Sequence, residues 1–286
     1  MPTSLGMKLL QPDEFVRNRL VKRVRRVFND EASGETPLVR SQDAHFSPDS
    51  VIWRVHGDVT SMMAGGIAAL LLEMLHPLAL AGVLGHSAFR QDMLGRLRRT
   101  ARFIAVTTYG ERSAADDAMA RVRAIHERVN GKLPDGRYYS ASDPHLIAWI
   151  HVAGALCFLA AYVRYVEPDM SVADADRYFA EAALTAHGLG ATAVPRTLAE
   201  AHALLESYRP ELEATRETHE VSALILSDRL DPARALLGTA AIDLLPQWAC
   251  SMLRLNARAQ LGRPARLVTG VMARSLRWAF AKPVAS

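Results

Sequence analysis

Apolar residues recur three and four positions apart through almost the whole chain, and no stretch alternates as a strand for more than a few residues. A period near 3.6, carried by segments rich in Ala, Leu, Arg and Glu, is that of amphipathic helices and predicts an all-α protein. Two segments, 59–85 and 146–165, are apolar all round rather than on one face. The first is interrupted by Glu73, His76, Pro77 and His86; the second carries His151 near its start and ends at Arg164. Each approaches the roughly 20 residues of a membrane span. The centre of a large helical bundle also needs helices without a polar face, and buried helices are the reading adopted for both.

Breakers and caps divide the pattern into elements. Residues 31–50, rich in Ser, Gly, Pro and Asp, read as a loop. Gly110 closes a helix that begins near Arg96. Ser113 is expected to cap the next helix, with Asp116 and Asp117 near its positive end and Gly131 as its stop. Ser142-Asp143-Pro144 starts the second apolar helix, with Pro144 in its first turn. Further helices are expected over 171–187, 197–208, 210–227, 232–244 and 247–261, with Pro195, Pro210, Pro232, Pro246 and Pro264 at the joints. The 31–50 loop is too short to separate a pair of domains. The expected organisation is a basic helix and loop over 1–44 followed by a single large helical domain over 45–286.

Composition narrows the class. A chain of 286 residues, half of them apolar, can bury a large core. Cys157 and Cys250 lie far apart in apolar stretches and read as core residues in a reducing compartment, without a disulfide framework. The first residues hold no apolar run of leader length, which points to a cytoplasmic protein. The net charge of +4 comes with basic clusters at 17–26 and at Arg263, Arg266, Arg274, Arg277 and Lys282. Both are interleaved with apolar residues rather than aromatic platforms, so no nucleic-acid partner is expected. Solvated helix faces or a peripheral contact with an anionic membrane account for them.

Candidate chemistry centres on His126, whose helix-spaced neighbours Met119, Val122 and Val129 are apolar, so that the imidazole is expected to point inward. It reads either as a core histidine with one hydrogen bond or as a haem-iron ligand, the commonest such ligand being a neutral imidazole. Upstream, Arg96, Arg99, Thr100, Phe103 and Thr107 fall on one helical stripe. Arg96 and Arg99 are suited to pair with porphyrin propionates or polarise a distal ligand, and Thr100 to donate to bound oxygen; a solvated stripe is the alternative. His151 is a second candidate, since Gly154 and Ala155 leave room nearby for a flat cofactor, with a core histidine as its alternative. Asp143 and His145 cap this helix or bond across to that of His126.

His56-Gly57-Asp58 reads as the lining of a pocket entrance, and Gly65 and Gly66 as points of close approach by a ligand or a helix. Met62, Met63, Leu70 and Met74 would make an adaptable apolar wall, or simply core. Other chemistries fall away. Gly188-Leu189-Gly190-Ala191-Thr192-Ala193 imitates a dinucleotide fingerprint but follows a helical segment where a strand is required. There is no Gly-x-Ser-x-Gly, Walker loop, His-Glu-x-x-His or Cys-x-x-Cys, and no i, i+4 histidine pair with a nearby acid.

Taken as a set, Arg96-x-x-Arg99-Thr100, Tyr109-Gly110, Val122-x-x-Ile125-His126-x-x-Val129-x-Gly131 and Tyr139-x-Ala141-x-Asp143-Pro144-x-Leu146-x-x-Trp149-Ile150-His151 resemble one family. It is that of the haem-dependent oxygenases, including the latex-clearing rubber oxygenases and the membrane-bound oxygenase of mycophenolic acid biosynthesis; the likeness covers about residues 45–260. The resemblance implies a globin-like helical core holding one haem b, with His126 as iron ligand and Arg96 and Thr100 supporting the pocket. Rubber oxygenases carry a lysine at the position of Arg99, able to reach the iron; arginine stays protonated and cannot. On this reading Arg99 and Thr100 are the catalytic candidates, and His126, Arg96, Thr100 and His151 the cofactor-binding ones. The implied reaction is oxidative C=C cleavage by dioxygen of an apolar, isoprenoid or lipid-like alkene. A haem-binding sensor, store or carrier without turnover is the alternative.

Overall fold

The computed structural model describes residues 38–87, 89, 92–227 and 232–255. The expected basic helix near the N-terminus and the basic cluster from Arg263 onward lie outside these residues. The described region is all-α apart from one short hairpin. The order is α1 (Val51–His56), α2 (Val59–Glu73), α3 (Pro77–His86), α4 (Met93–Tyr109), α5 (Arg112–His126), β1 (Asn130–Lys132), β2 (Tyr138–Ser140), α6 (Pro144–Tyr165), α7 (Val172–Leu189), α8 (Leu198–Ser207), a 3-10 turn (Arg209–Glu211), α9 (Arg216–Ile225), α10 (Pro232–Leu244) and α11 (Gln247–Met252).

The two apolar segments become the centre. α2 lies along α6, and α10, α7 and α8 cover the pair. Gly65 sets the approach: a Cβ there would stand 2.9 Å from the Cys157 carbonyl oxygen and 3.0 Å from Phe158 Cα. Among the described helices α6 alone is long and apolar enough to cross a membrane; 72% of its apolar window is buried inside the protein. α2 and α3 together pass the same test but bend by 106° at the break. Pro77 causes the bend, because it cannot donate the next helical hydrogen bond and disfavours helical backbone before it. His76 accordingly takes extended backbone as the N-cap of α3.

Many caps fall where the composition places them. Asp143 accepts from the His145 amide with Pro144 in the first turn, Ser171 caps α7, Thr197 caps α8 and Gly110 ends α4. Four expectations are corrected. Ser113 does not cap α5, whose N-cap is Glu111. Gly131 does not end that helix, which stops at His126; Gly131 lies in β1, paired with Tyr139. The hairpin turns at Pro134-Asp135-Gly136, where Gly136 takes a φ of +90°, the conformation glycine adopts without Cβ strain. The stretch 210–227 is two elements, a 3-10 turn and α9, because Leu212 is extended and Thr215 begins a new helix with a capping box. Finally, α11 is shorter than expected, ending at Met252 before Arg254 turns to a φ of +55°. Both cysteines are free and buried.

Candidate functional site

The site is built on one stripe of α6. His151, Gly154 and Phe158, spaced three and four apart, share a face, and α2 ends against it. Glu73, the last residue of α2, brings Oε1 to 3.8 Å from where a Gly154 Cβ would stand, while its carbonyl accepts from Trp149 Nε1 at 3.2 Å. Enclosure raises the Glu73 carboxyl to about 8, against a pull downward from Arg96 on α4. Burial lowers Arg96 in turn, with Glu73 opposing. His126, at the end of α5, is lowered by burial first and then by Arg96. A chain of electrostatic neighbours therefore runs from the His151–Phe158 stripe through Glu73 and Arg96 to His126.

Burial moves Glu73 up and His151 down, the latter to about 4. Yet neither side chain is fully covered, and Phe158 and Arg96 also keep accessible surface. α4 packs on α5 and α1 rather than on α2 or α6, and none of its described side chains between Met93 and Val106 is fully buried. His126 Nδ1 and His151 Nε2 are both buried without a hydrogen-bond partner. An unpaired buried polar atom costs about 1–3 kcal/mol, so these two imidazole nitrogens ask for an explanation. His76 likewise lacks a well-formed hydrogen bond, but its Nε2 faces Glu211 at 3.5 Å.

The arginine stripe divides. Arg96 turns inward, whereas Arg99 is 64% exposed at its side chain and pairs with Asp92 at 3.3 Å. Thr100 is exposed. Farther along, Thr107 is buried and its hydroxyl donates back to the Phe103 carbonyl at 2.9 Å. Arg96 and His126 are thus electrostatic neighbours, His151 lies on the face of α6 that Glu73 meets, and Arg99 and Thr100 stay on the exposed side of α4. His145 does not reach toward α5; its Nε2 bonds Glu211 at 2.9 Å.

His56 is no pocket lining. It is half-buried, lowered to about 3 by burial, with Nδ1 2.9 Å from Thr108 Oγ1 and Nε2 3.2 Å from the Tyr178 hydroxyl. Its neighbours Gly57 and Asp58 do line an open cleft of about 540 Å³ with Arg40, Trp53 and Tyr162. That cleft lies toward the end of α6 that carries Tyr162, while His56 meets Phe158 edge-on at 5.8 Å. Arg54 there is already paired with Asp174 at 2.8 Å and Glu167 at 3.2 Å.

Sequence reasoning misses Glu73 as a site residue because a lone acid in an apolar run reads only as an interruption; its place at the end of α2, facing Gly154, gives it a role. The Gly188–Ala193 segment is a helix terminus: Gly190 takes a φ of +106° as the C-cap of α7.

These features define a helical protein in which Glu73, Arg96, His126 and His151 lie beside its central apolar helices. The family model described as ER-bound oxygenase mpaB/B'/Rubber oxygenase, catalytic domain, matches residues 53–278. The chain belongs to this family of oxygenase catalytic domains. No curated protein and no solved structure matches the chain.

Proposed function

We propose that this oxygenase uses haem b, held by His126, to cleave the C=C bond of an apolar, isoprenoid or lipid-like alkene with dioxygen. The observation that supports the reading is the pair of buried, unpartnered nitrogens, His126 Nδ1 and His151 Nε2, at the two ends of the run of neighbours through Arg96 and Glu73. The donor set suits haem in particular. Among the described residues no three His, Cys, Asp or Glu side chains group as a metal site, so an ion dependent wholly on protein ligands has no home there. A porphyrin brings four nitrogens of its own and asks the protein for one or two.

In this reading His126 holds the iron and His151 bonds or ligates from α6. Arg96, cationic and inward, answers a propionate. Haem supplies the dioxygen chemistry when bound; both oxygen atoms end on the two alkene carbons as carbonyls. The chain's own role is to exclude water with the walls of α2 and α6, to orient the alkene along them, and to hold a proton on the Glu73 carboxyl, which at about 8 stays largely protonated at neutral pH. Arg99 and Thr100 take a catalytic role only by turning inward when the pocket fills.

Haem-supplied protein is tested by visible absorption and a pyridine assay for haem b. A stoichiometric Soret band in the wild type and in His151→Ala, lost in His126→Ala, is the expected result. Full haem in His126→Ala overturns the ligand assignment. Bound haem without alkene-dependent oxygen uptake would instead favour a sensor, store or carrier.

A further inference from the structure

We propose that His86 and Tyr139 are positioning residues for His126, bracing the turn that follows it so that the imidazole stays directed inward; this rests on the reading of His126 above. His126 is the last residue of α5, and helix ends lack four of their backbone partners and fray unless something ties them. Here the tie is made beyond the helix. The Val129 amide donates to the His126 carbonyl at 3.0 Å, and the Ala141 amide to the Val129 carbonyl at 2.8 Å, fastening the turn to the hairpin.

The hairpin is in turn fastened to α3. Tyr139, opposite Gly131 in the β1–β2 register, is buried to 8% exposure. Its hydroxyl lies where a side chain on Gly131 would collide, 2.6 Å from an added Cβ, and 3.2 Å from one on Gly85. Gly82 of α3 receives Val129, whose Cγ1 would lie 3.7 Å from a Cβ there. His86 then closes the clamp: its Nε2 is 3.1 Å from the Asn130 carbonyl oxygen and 3.1 Å from the Tyr139 hydroxyl oxygen. A carbonyl only accepts, so Nε2 carries the proton and shares it between the two oxygens. His86 is exposed, so its contribution is these two hydrogen bonds rather than burial. One falls on Asn130, four residues beyond His126, and the other on Tyr139, whose strand pairs with that segment.

The test uses haem-free protein modified with diethyl pyrocarbonate, with His126 and His151 followed separately by peptide mass analysis. Tyr139→Phe removes one oxygen and keeps the ring; His86→Ala removes the donor; His86→Gln restores an N–H at similar reach. Loss of one such hydrogen bond is expected to speed His126 modification about fivefold in Tyr139→Phe and His86→Ala, with His86→Gln within about twofold of wild type and His151 unchanged. Haem-loaded Tyr139→Phe and His86→Ala should also lose haem to an acceptor protein faster. Unchanged His126 modification in both variants overturns the proposal, and so does equal acceleration at His151, the sign of general loosening. A wild type that takes up no haem overturns the ligand reading of His126 alone, since the modification is read without haem.

Discussion

The carboxyl of Glu73 and the guanidinium of Arg96 are electrostatic neighbours, and burial drives their proton affinities in opposite directions, up for the acid and down for the base. For Glu73 burial outweighs the attraction of Arg96, leaving it at about 8 against an ordinary 4.5. The folded state therefore binds a proton that the unfolded chain has released between those two values. The Glu73 contribution to stability is fullest below about 4.5 and falls as pH rises to about 8, at up to about 1.4 kcal/mol per pH unit. Denaturant unfolding of the haem-free protein at pH 5 and pH 8 should show Glu73→Gln gaining on the wild type as pH rises. A gap between the two proteins that is the same at both pH values would contradict this.

Arg96 and Arg99 are three residues apart yet face different surroundings, so their replacement should separate. Arg96→Ala removes the inward cation and is expected to speed haem loss about tenfold, the size of one charge-assisted hydrogen bond, short of the full loss expected for His126→Ala. Arg99 holds an exposed pair with Asp92, and Arg99→Ala should change the unfolding free energy by no more than about 0.5 kcal/mol. Equal haem retention in Arg96→Ala and wild type would return Arg96 to a merely structural place.

Helix starts are legible in the sequence where a side chain does the capping, as at Asp143, Ser171 and Thr197. Ser113 misleads because the backbone enters α5 two residues earlier, at Glu111, without any side-chain cap. The hairpin escapes because three-residue strands are too short to show alternation, although Pro134-Asp135-Gly136 is itself a turn signal. His126 stands out by spacing, but Val129, which spacing alone puts on the same helix, packs on α3 instead. Arg99 and Thr100 share a stripe with Arg96 in the sequence; which residues of the stripe turn inward depends on how α4 sits on its neighbours, and periodicity does not encode that. Glu73 needs the opposing helix to acquire meaning.

Tyr109 ties the end of α4 to α1. Its hydroxyl donates to the Trp53 carbonyl at 2.9 Å while Trp53 Nε1 donates to the Thr108 carbonyl at 2.8 Å, and the two rings meet edge to face at 5.1 Å. Tyr109→Phe keeps the ring contact and leaves a buried carbonyl short of its donor, so a loss of about 1–2 kcal/mol is expected in urea unfolding. A change below about 0.5 kcal/mol would mean that the carbonyl finds another donor.

The adjacent glycines of α2 should behave oppositely, because only one meets the backbone of α6. A Cβ on Gly65 would press on the Cys157 carbonyl oxygen at 2.9 Å and on Phe158 Cα at 3.0 Å, atoms that yield only if the helices move apart. A Cβ on Gly66 meets only the Phe158 ring, at 3.7 Å, an ordinary contact. Gly65→Ala is therefore expected to cost about 1–3 kcal/mol through overpacking, and Gly66→Ala to be neutral or to stabilise by up to about 1 kcal/mol through helix propensity. Because Phe158 and Gly154 lie on the stripe that Glu73 faces, separating α2 from α6 at Gly65 should also disturb haem uptake, while Gly66→Ala should not. Urea midpoints and Soret stoichiometry measured on the two variants together check both halves, and equal behaviour of the pair would show that α2 does not rest on α6 through Gly65.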